Sequence, residues 1–508
     1  MRRTEQLAQV MSATPDLAPL LEEADALRQE ISPTLDADSR AELGQFMTPA
    51  VVARFMASLF SASARGPVTL LDAGAGVGGL SGAFIERHVT LGATAPVHVV
   101  AYEIDARLRK ALSQTLASYR ALLPSLNVEV LGGDFIEGAV NDLQFHGGRR
   151  FSHAILNPPY KKINTDSGHR RLLRLAGIET VNLYTAFVAL AIQLMEPGGE
   201  VVAIIPRSFC NGPYYRPFRA FLLEKTAIEH IHLFESRTSA FSDDAVLQEN
   251  IIIRFVVGGT QRKVRVSTSS DKTLCDRAEH AYPFGKIVSK GDPEIFIHVP
   301  KHNGTSSSAS LDCATSTLKE TGLEVSTGPV VDFRLKEFLL KDSAKNSAPL
   351  LYASHFVNGN LAWPRADGKK PNAIVLLPAT EKWLYPNNGF YTVVRRFSSK
   401  EERRRIVAYV VNPKHFSSAK KLGFENHLNV FHRGKQGLDE ATARGLAVYL
   451  NSTALDDYFR RFSGHTQVNA TDLRNMPYPP LSALARLGRW AKKQSGLSQE
   501  LIDKHLNS

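Results

Sequence analysis

The chain has 508 residues and a formal net charge of +11, from 61 Lys and Arg against 50 Asp and Glu. That length suits two or three domains, and the charge makes a polyanionic partner the first expectation, although many soluble enzymes of this size are simply basic. The three cysteines, Cys210, Cys275 and Cys313, lie far apart and form no Cys-x-x-Cys or Cys/His spacing, which excludes a structural zinc site and predicts a reducing compartment.

The first residues are basic but soon reach Glu and Asp, without the continuous apolar core of a signal peptide. No run approaches the roughly 18 apolar residues of a membrane span. A soluble, cytoplasmic protein with no bound metal and no membrane association is expected. Residues 14–31, "TPDLAPLLEEADALRQEI", place proline ahead of apolar residues at helical spacing and predict an amphipathic packing helix. Between about 68 and 257 the runs "VTLLDAG", "PVHVVAYEID", "NVEVLGGDF", "FSHAILNPPY", "EVVAIIP", "AIEHIHLFE" and "NIIIRFVV" are separated by helix-length segments such as "DARLRKALSQTLASYRALL". The alternation predicts an α/β, Rossmann-like domain built of βαβ units on a mostly parallel, seven-stranded sheet. Ligands in such sheets sit at the carboxyl ends of the strands.

The first strand exits into "LLDAGAGVGGLSGAF", where Asp72 precedes Gly74, Gly76 and Gly79, which satisfy G-x-G-x-x-G. The physics of that motif is a tight turn that lets a ligand approach the backbone at a helix start. Alone it is a weak signal, which a structural turn also fits and for which a nicotinamide or flavin dinucleotide site is the functional competitor. The second strand ends in "AYEID", where Glu103 is placed to accept both hydroxyls of a ribose. The third ends in "GGDF", where Asp134 can accept from an exocyclic amino group and Phe135 can cover a ring. An acidic residue before the glycines, a ribose carboxylate and an adenine clamp suit S-adenosylmethionine, which brings an ammonium group and no pyrophosphate.

The fourth strand delivers Asn157, Pro158, Pro159 and Tyr160 to the same edge. Consecutive prolines forbid helix, remove two amide donors and hold the carbonyls outward in an extended backbone. Asn157 adds a side-chain carbonyl and Tyr160 a flat ring. Such a face suits methylation of an amino group whose lone pair is delocalised: two carbonyls accept its hydrogens, orient it and stabilise charge developing during in-line attack. A stiff turn is the bland alternative for an isolated tetrad.

Residues 302–317, "HNGTSSSASLDCATST", are small and polar and predict a linker or surface loop, assigned to 301–320. Beyond it lie short strand-like pieces, aromatic residues and basic clusters such as "VVRRFSSKEERRR", with no fixed repeat and no assignable fold.

In their order, these motifs resemble the gamma-class adenine-N6 DNA methyltransferases of type II restriction-modification systems, most closely the PstI/BsuBI-like members. The matching elements are "ELGQFMTP", "LDAGAGVGG", "AYEID", "GDF", "NPPY", "NLYTAF" and "FSDDAVLQENIIIRF" over about residues 40–257, with a weaker match in "STGPVVDFR", "LLYASHFVNGNLAWP" and "SGHTQVNATDLRNMPYP". The resemblance implies that Phe46 and Thr48 close over the methionine moiety of S-adenosylmethionine. It further implies that Asp72, Gly74 and Gly76 hold that moiety, Glu103 the ribose, and Asp134 with Phe135 the adenine. Asn157, Pro158 and Tyr160 would be catalytic, with Tyr160 stacked on the target base and Phe241 a second aromatic contact to it. A mixed α+β target recognition domain would occupy 321–480, with His465, Thr466, Gln467 and Asn469 as candidate DNA contacts and Arg395, Arg396 and Arg403 to Arg405 as candidate phosphate contacts. A charge run is more often a solvated face. The remaining divisions expected are a helical segment at 1–40, the catalytic domain at 41–300 and a helical tail at 481–508.

A base inside a duplex hides its amino group, so such an enzyme extrudes it and replaces lost stacking with an aromatic ring. Double-stranded DNA is the expected partner, phosphate contacts supplying salt-sensitive affinity and groove contacts the choice of sequence. A cognate restriction endonuclease is expected as a separate protein, and the chain is expected to act as a monomer. The rival readings are RNA adenine methylation, protein glutamine-N5 methylation, which also uses Asn-Pro-Pro-Tyr, and a DNA-binding subunit without turnover.

Overall fold

The computed structural model describes residues 15–34, 47–62, 66–93, 95–145, 148–234, 249–300, 314–357, 359–366, 368–398, 402–463 and 466–507. Two compact units divide the chain, residues 1–302 and 303–508.

In the first unit, helix α1 (Ala18–Ile31) and helix α2 (Ala50–Ser58) precede the sheet. The seven expected runs all form strands: β1 (Val68–Ala73), β2 (Val97–Tyr102), β3 (Leu126–Leu131), β4 (Phe151–Leu156), β5 (Met195–Pro206), β6 (Thr226–Phe234) and β7 (Asn250–Val257). The crossovers are α3 (Gly79–Thr90), α4 (Ala106–Leu122), α5 (Phe135–Gln144), the pair α6 (Gly168–Leu175) and α7 (Leu183–Leu194), and α8 (Arg216–Lys225). Asp105, Asp134 and Ser167 start α4, α5 and α6 by accepting from first-turn amides, the usual way of satisfying orphan donors at a helix start.

The sheet runs β3-β2-β1-β4-β5-β7-β6 and then continues through two strands that the sequence reading did not foresee, β8 (Val264–Ser269) and β9 (Ala278–Tyr282). Strands β1 to β5 pair in parallel, and β7 is antiparallel to both β5 and β6. Strand order reverses between β1 and β4, which is where open sheets of this kind leave a crevice beyond the strand ends. Both faces are covered. Leu71, Ile155, Val202, Ile204, Ile252 and Ile253 are fully buried between the two helical layers, which explains why these strands read as continuous apolar runs.

The second unit holds a four-stranded sheet (Glu324–Thr327, Leu428–His432, Tyr391–Arg395, Ala408–Val411), a five-stranded sheet that includes Ser347–Leu351 and Lys421–Phe424, and a two-stranded ribbon. The helix Leu481–Lys492, within the expected helical tail, packs one face, Leu484, Leu487, Gly488 and Ala491, against the helix Glu440–Leu450. The linker assigned to 301–320 lies largely outside the described residues. Among the described residues no helix is long and apolar enough to cross a membrane.

Candidate active site

A cavity of about 340 Å³ opens at the strand-order reversal, and its wall includes Thr48, Gly74, Gly76, Glu103, Asp134, Phe135 and Asn157. The turn after β1 is strapped to β2, since the amides of Gly74 and Ala75 both donate to the Tyr102 carbonyl at 2.9 Å. Gly74 and Gly76 take φ of +81° and +57°, where any side chain is strained. A Cβ on Gly76 would also come within 3.3 Å of Met47 Cγ, a tight contact that Met47 would have to shift to relieve.

Glu103 directly follows β2 and closes the loop onto that turn. Its Oε2 accepts from the Gly76 amide at 2.9 Å and its Oε1 from the Asp105 amide at 2.8 Å. Burial pushes its carboxyl up to about 7 against these bonds. Asp72, inside β1, is fully buried. The Ser81 hydroxyl donates to its Oδ2 at 2.6 Å, while Oδ1 has no hydrogen-bond partner among the described residues. Burial pushes Asp72 up to about 7 as well. It stands behind the cavity wall rather than on it, and so acts on that space by charge and through the first turn of α3.

Asp134 caps α5, its Oδ1 accepting from the Ile136 amide at 2.7 Å, and its Oδ2 lies 3.0 Å from His169 Nε2. Burial raises the Asp134 pKa, but the hydrogen bond and charge of His169 outweigh it and hold the carboxyl below its ordinary value. Phe135 sits between Tyr102 and Phe187, with centroids 5.2 and 4.9 Å away. Phe187 joins it on the cavity wall, as do Met47, Lys161, Lys162 and His169. None of these five was singled out from the sequence. Phe187 ends the quoted "NLYTAF" segment, whereas nothing in the sequence pointed to His169.

Asn157 follows β4, and its Nδ2 donates to Thr48 Oγ1 at 2.9 Å, tying the segment before α2 to the Asn-Pro-Pro-Tyr edge. The Tyr160 hydroxyl lies 3.2 Å from Asn157 Oδ1 and 3.2 Å from the Ile204 carbonyl. Burial raises the Tyr160 pKa far above its ordinary value, so the hydroxyl stays protonated and acts only as a donor or neutral acceptor. Its ring meets Tyr184 edge-on at 6.2 Å. Pro158 and Tyr160 flank the cavity without lining it, whereas Pro159 is on the wall. Phe46, Phe241 and His465 lie outside the described residues.

In the second unit, Arg395 pairs with Glu402, and Arg396 donates to the Asn426 carbonyl at 3.2 Å and to Gln467 Oε1 at 3.1 Å. Thr466 is exposed. Asn469 caps the helix Ala470–Arg474 through Asp472, so its polar atoms are partly engaged in the fold. A phosphate role does not hold for Arg405, which is buried with its guanidinium on Ser398 and Ser463. Nor does it hold for Arg404, whose guanidinium is spent on Gln499, the Leu450 carbonyl and Asn451. Arg403 is exposed.

Residues 129–241 match the family model described as Eco57I restriction-modification methylase. The chain is 49% identical over 478 residues to the Type II methyltransferase M.BsuBI of Bacillus subtilis, spanning 93% of this chain and 94% of that one. It is 43% identical over 465 residues to the Type II methyltransferase M.PstI of Providencia stuartii, spanning 90% of each. Among solved structures, the type IIL restriction-modification enzyme MmeI in complex with DNA aligns with a TM-score of 0.53 at 12% identity, over 96% of this chain and 73% of that one. At that identity the likeness is one of fold.

Proposed function

Since this chain belongs to the type II methyltransferases of restriction-modification systems, we propose that it is a DNA methyltransferase that acts on the exocyclic N6 of adenine in a short duplex word. S-adenosylmethionine is the methyl donor, and when bound it supplies an electrophilic methyl group. The residues present fit it. Gly74 and Gly76 leave a cradle that a side chain would fill, Glu103 offers a buried carboxylate for the ribose hydroxyls, and Phe135 with Phe187 offers ring faces for the adenine. Thr48, with Phe46, belongs at the methionine end, and the unpartnered Oδ1 of Asp72 adds negative potential behind a cationic ligand. Asp134 has one carboxylate oxygen in the α5 cap and the other on His169, and its remaining lone pair suits an adenine amino group.

The single observation that carries the reading is Asn157: it stands on the wall of that cavity, at the end of β4 beside β1, and is tied to Thr48 at 2.9 Å. Its Oδ1 and the Pro158 carbonyl accept the two amino hydrogens of the target. The nitrogen lone pair is thereby aimed in line at the methyl carbon, and the positive charge it acquires as the new N–C bond forms is stabilised by fixed dipoles. The proton then leaves to solvent, so no strong base is needed before transfer. Tyr160 and Phe241 stack on the extruded adenine. Residues 321–480 form the target recognition domain, with Arg395, Arg396, His465, Thr466, Gln467 and Asn469 facing DNA. Methylation protects the host's DNA from a separate cognate endonuclease, and the chain acts as a cytoplasmic monomer.

The test is transfer of labelled methyl from S-adenosylmethionine to unmethylated duplex DNA, with the product nucleosides resolved by mass spectrometry. N6-methyladenine is expected. N4-methylcytosine, or label only in RNA or protein, rejects the reading.

A further inference from the structure

Within the second unit, three separate chain segments meet on one surface. The loop after the strand Tyr391–Arg395 is bonded to the loop between Lys421–Phe424 and Leu428–His432, the Arg396 amide donating to the His427 carbonyl at 2.8 Å. It is also bonded to the 466–468 segment, the Ser398 amide donating to the Thr466 carbonyl at 3.0 Å and the Val468 amide to the Arg396 carbonyl at 2.7 Å. At the centre stands His427, its side chain 40% exposed, with Nδ1 lying 2.8 and 3.0 Å from the two oxygens of Glu425, which is itself completely buried. The Phe397 ring, 43% exposed, meets the imidazole edge-on at 4.8 Å.

A buried carboxylate beneath an exposed imidazole fixes the ring's direction and its tautomer. The carboxylate accepts, so Nδ1 carries the proton, and in the neutral ring Nε2 presents a lone pair outward. No described residue bonds to Nε2. The charge balance then decides what this surface suits. The neutral imidazole brings no positive charge to it, and the Arg396 guanidinium is engaged by the Asn426 carbonyl and Gln467. A phosphate contact calls for uncompensated positive charge, whereas a base edge calls for a directed acceptor or donor beside an apolar surface. This surface has the second character.

Resting on the DNA reading above, we propose that His427 is a specificity-determining residue that accepts a hydrogen bond from an exocyclic amino group of adenine or cytosine in the major groove. Phe397 packs against the neighbouring base, and Glu425 is the positioning residue that aims the ring.

The test uses the full chain. Sequencing the positions that the wild type methylates gives its recognised word, and duplexes that each differ from that word at one base pair then measure discrimination as a ratio of kcat/KM. For His427→Ala, discrimination at one position falls by roughly ten-fold or more, while kcat on the unaltered word and the affinity for S-adenosylmethionine stay close to wild type. Phe397→Ala relaxes the same or the adjacent position. Glu425→Gln raises the KM for DNA and relaxes that position without lowering kcat. The inference is overturned if His427→Ala and Phe397→Ala both read every position as strictly as the wild type, including the case in which they lower stability and overall rate alone. A wild-type chain that methylates no duplex DNA overturns the functional reading, and this inference with it.

Discussion

The Tyr160 hydroxyl has one proton and two acceptors at equal distance, Asn157 Oδ1 and the Ile204 carbonyl, each at 3.2 Å. When the proton points to Asn157 it holds the amide with its oxygen toward the ring and its Nδ2 on Thr48. Tyr160→Phe keeps the ring and deletes that proton. A neutral hydrogen bond of about 1 kcal/mol translates into a fall in kcat of roughly two- to ten-fold, with cofactor affinity unchanged. Asn157→Ala removes the acceptor itself. It is expected to lower methyl transfer by about two to three orders of magnitude while calorimetric cofactor binding persists; retained turnover would reject the assigned role. Asp72 gives a separate handle, in stability. Its folded pKa, pushed up to about 7 by complete burial, lies above the unfolded value, so the unfolded chain ionises first. The stability that Asp72 carries is therefore full at pH values below about 4 and is lost as pH rises through 7, at a cost on the order of 4 kcal/mol. Asp72→Asn cannot ionise. The melting temperature of the ligand-free variant should match the wild type near pH 4, exceed it increasingly as pH rises to about 7 and level off above that, and a difference independent of pH would contradict the assignment.

Two helices of the second unit touch backbone to backbone at glycines. A Cβ on Gly445 would fall 1.8 Å from the Leu484 carbonyl oxygen, and one on Gly488 would fall 1.7 Å from that of Ala441. Neither position can relax by moving a side chain, because the obstacle is main chain. Gly488→Ala should therefore push apart the helices Glu440–Leu450 and Leu481–Lys492 and cost about 1–3 kcal/mol or more in denaturant unfolding of this unit. Cofactor binding in the first unit should be spared. This contact was not legible in the sequence of 481–508, where only helices were expected. Gly488 lies in "LSALARLGRWAKK", and nothing local reveals that its glycine face meets another glycine. The seven catalytic-unit strands were legible because burial on both faces makes them continuous apolar runs. Strands β8 and β9 were missed for the converse reason: "VRVSTS" alternates polar residues inward, where His230 and His232 share the Ser267 hydroxyl at 2.8 Å each, and "AEHAY" is largely exposed. The second unit's strands, two to five residues long, are too short for any period to show. At the site, Gly74, Gly76, Glu103, Asp134, Phe135 and Asn157 were readable because each sits at the carboxyl end of a recognisable strand or just beyond it. Thr48 carried no pattern of its own and entered only through resemblance. Phe187 is one more apolar residue on a buried helix, and His169 acquires its place from α6 folding back onto Asp134.

At the scale of the whole molecule, the proposed chemistry and the proposed sequence choice fall in different compact units. All residues on the cavity wall precede residue 303, and the first unit has its own core on both faces of its sheet, from Leu71 and Ile253 on one side to Leu70 and Ile252 on the other. The surface around His427, proposed above to read a base, lies wholly after residue 303. A fragment ending at His302 should accordingly fold cooperatively and bind S-adenosylmethionine within a few-fold of the full chain. It keeps every described cavity residue and the carboxylates Asp72 and Glu103 behind the glycine turn. Its transfer to DNA should nevertheless fall to background, because extruding a base calls for contacts along the duplex that compensate for lost stacking, and the proposed reading assigns those contacts to the missing unit. The full chain, with a formal net charge of +11, should lose DNA affinity steeply as salt rises, whereas cofactor affinity of the fragment should barely respond. Equilibrium binding of labelled cofactor to both proteins at low and high salt, beside methylation of the same duplex, separates the two contributions. A fragment that binds cofactor and still methylates the recognised word would place sequence reading in the first unit and remove the second from the mechanism.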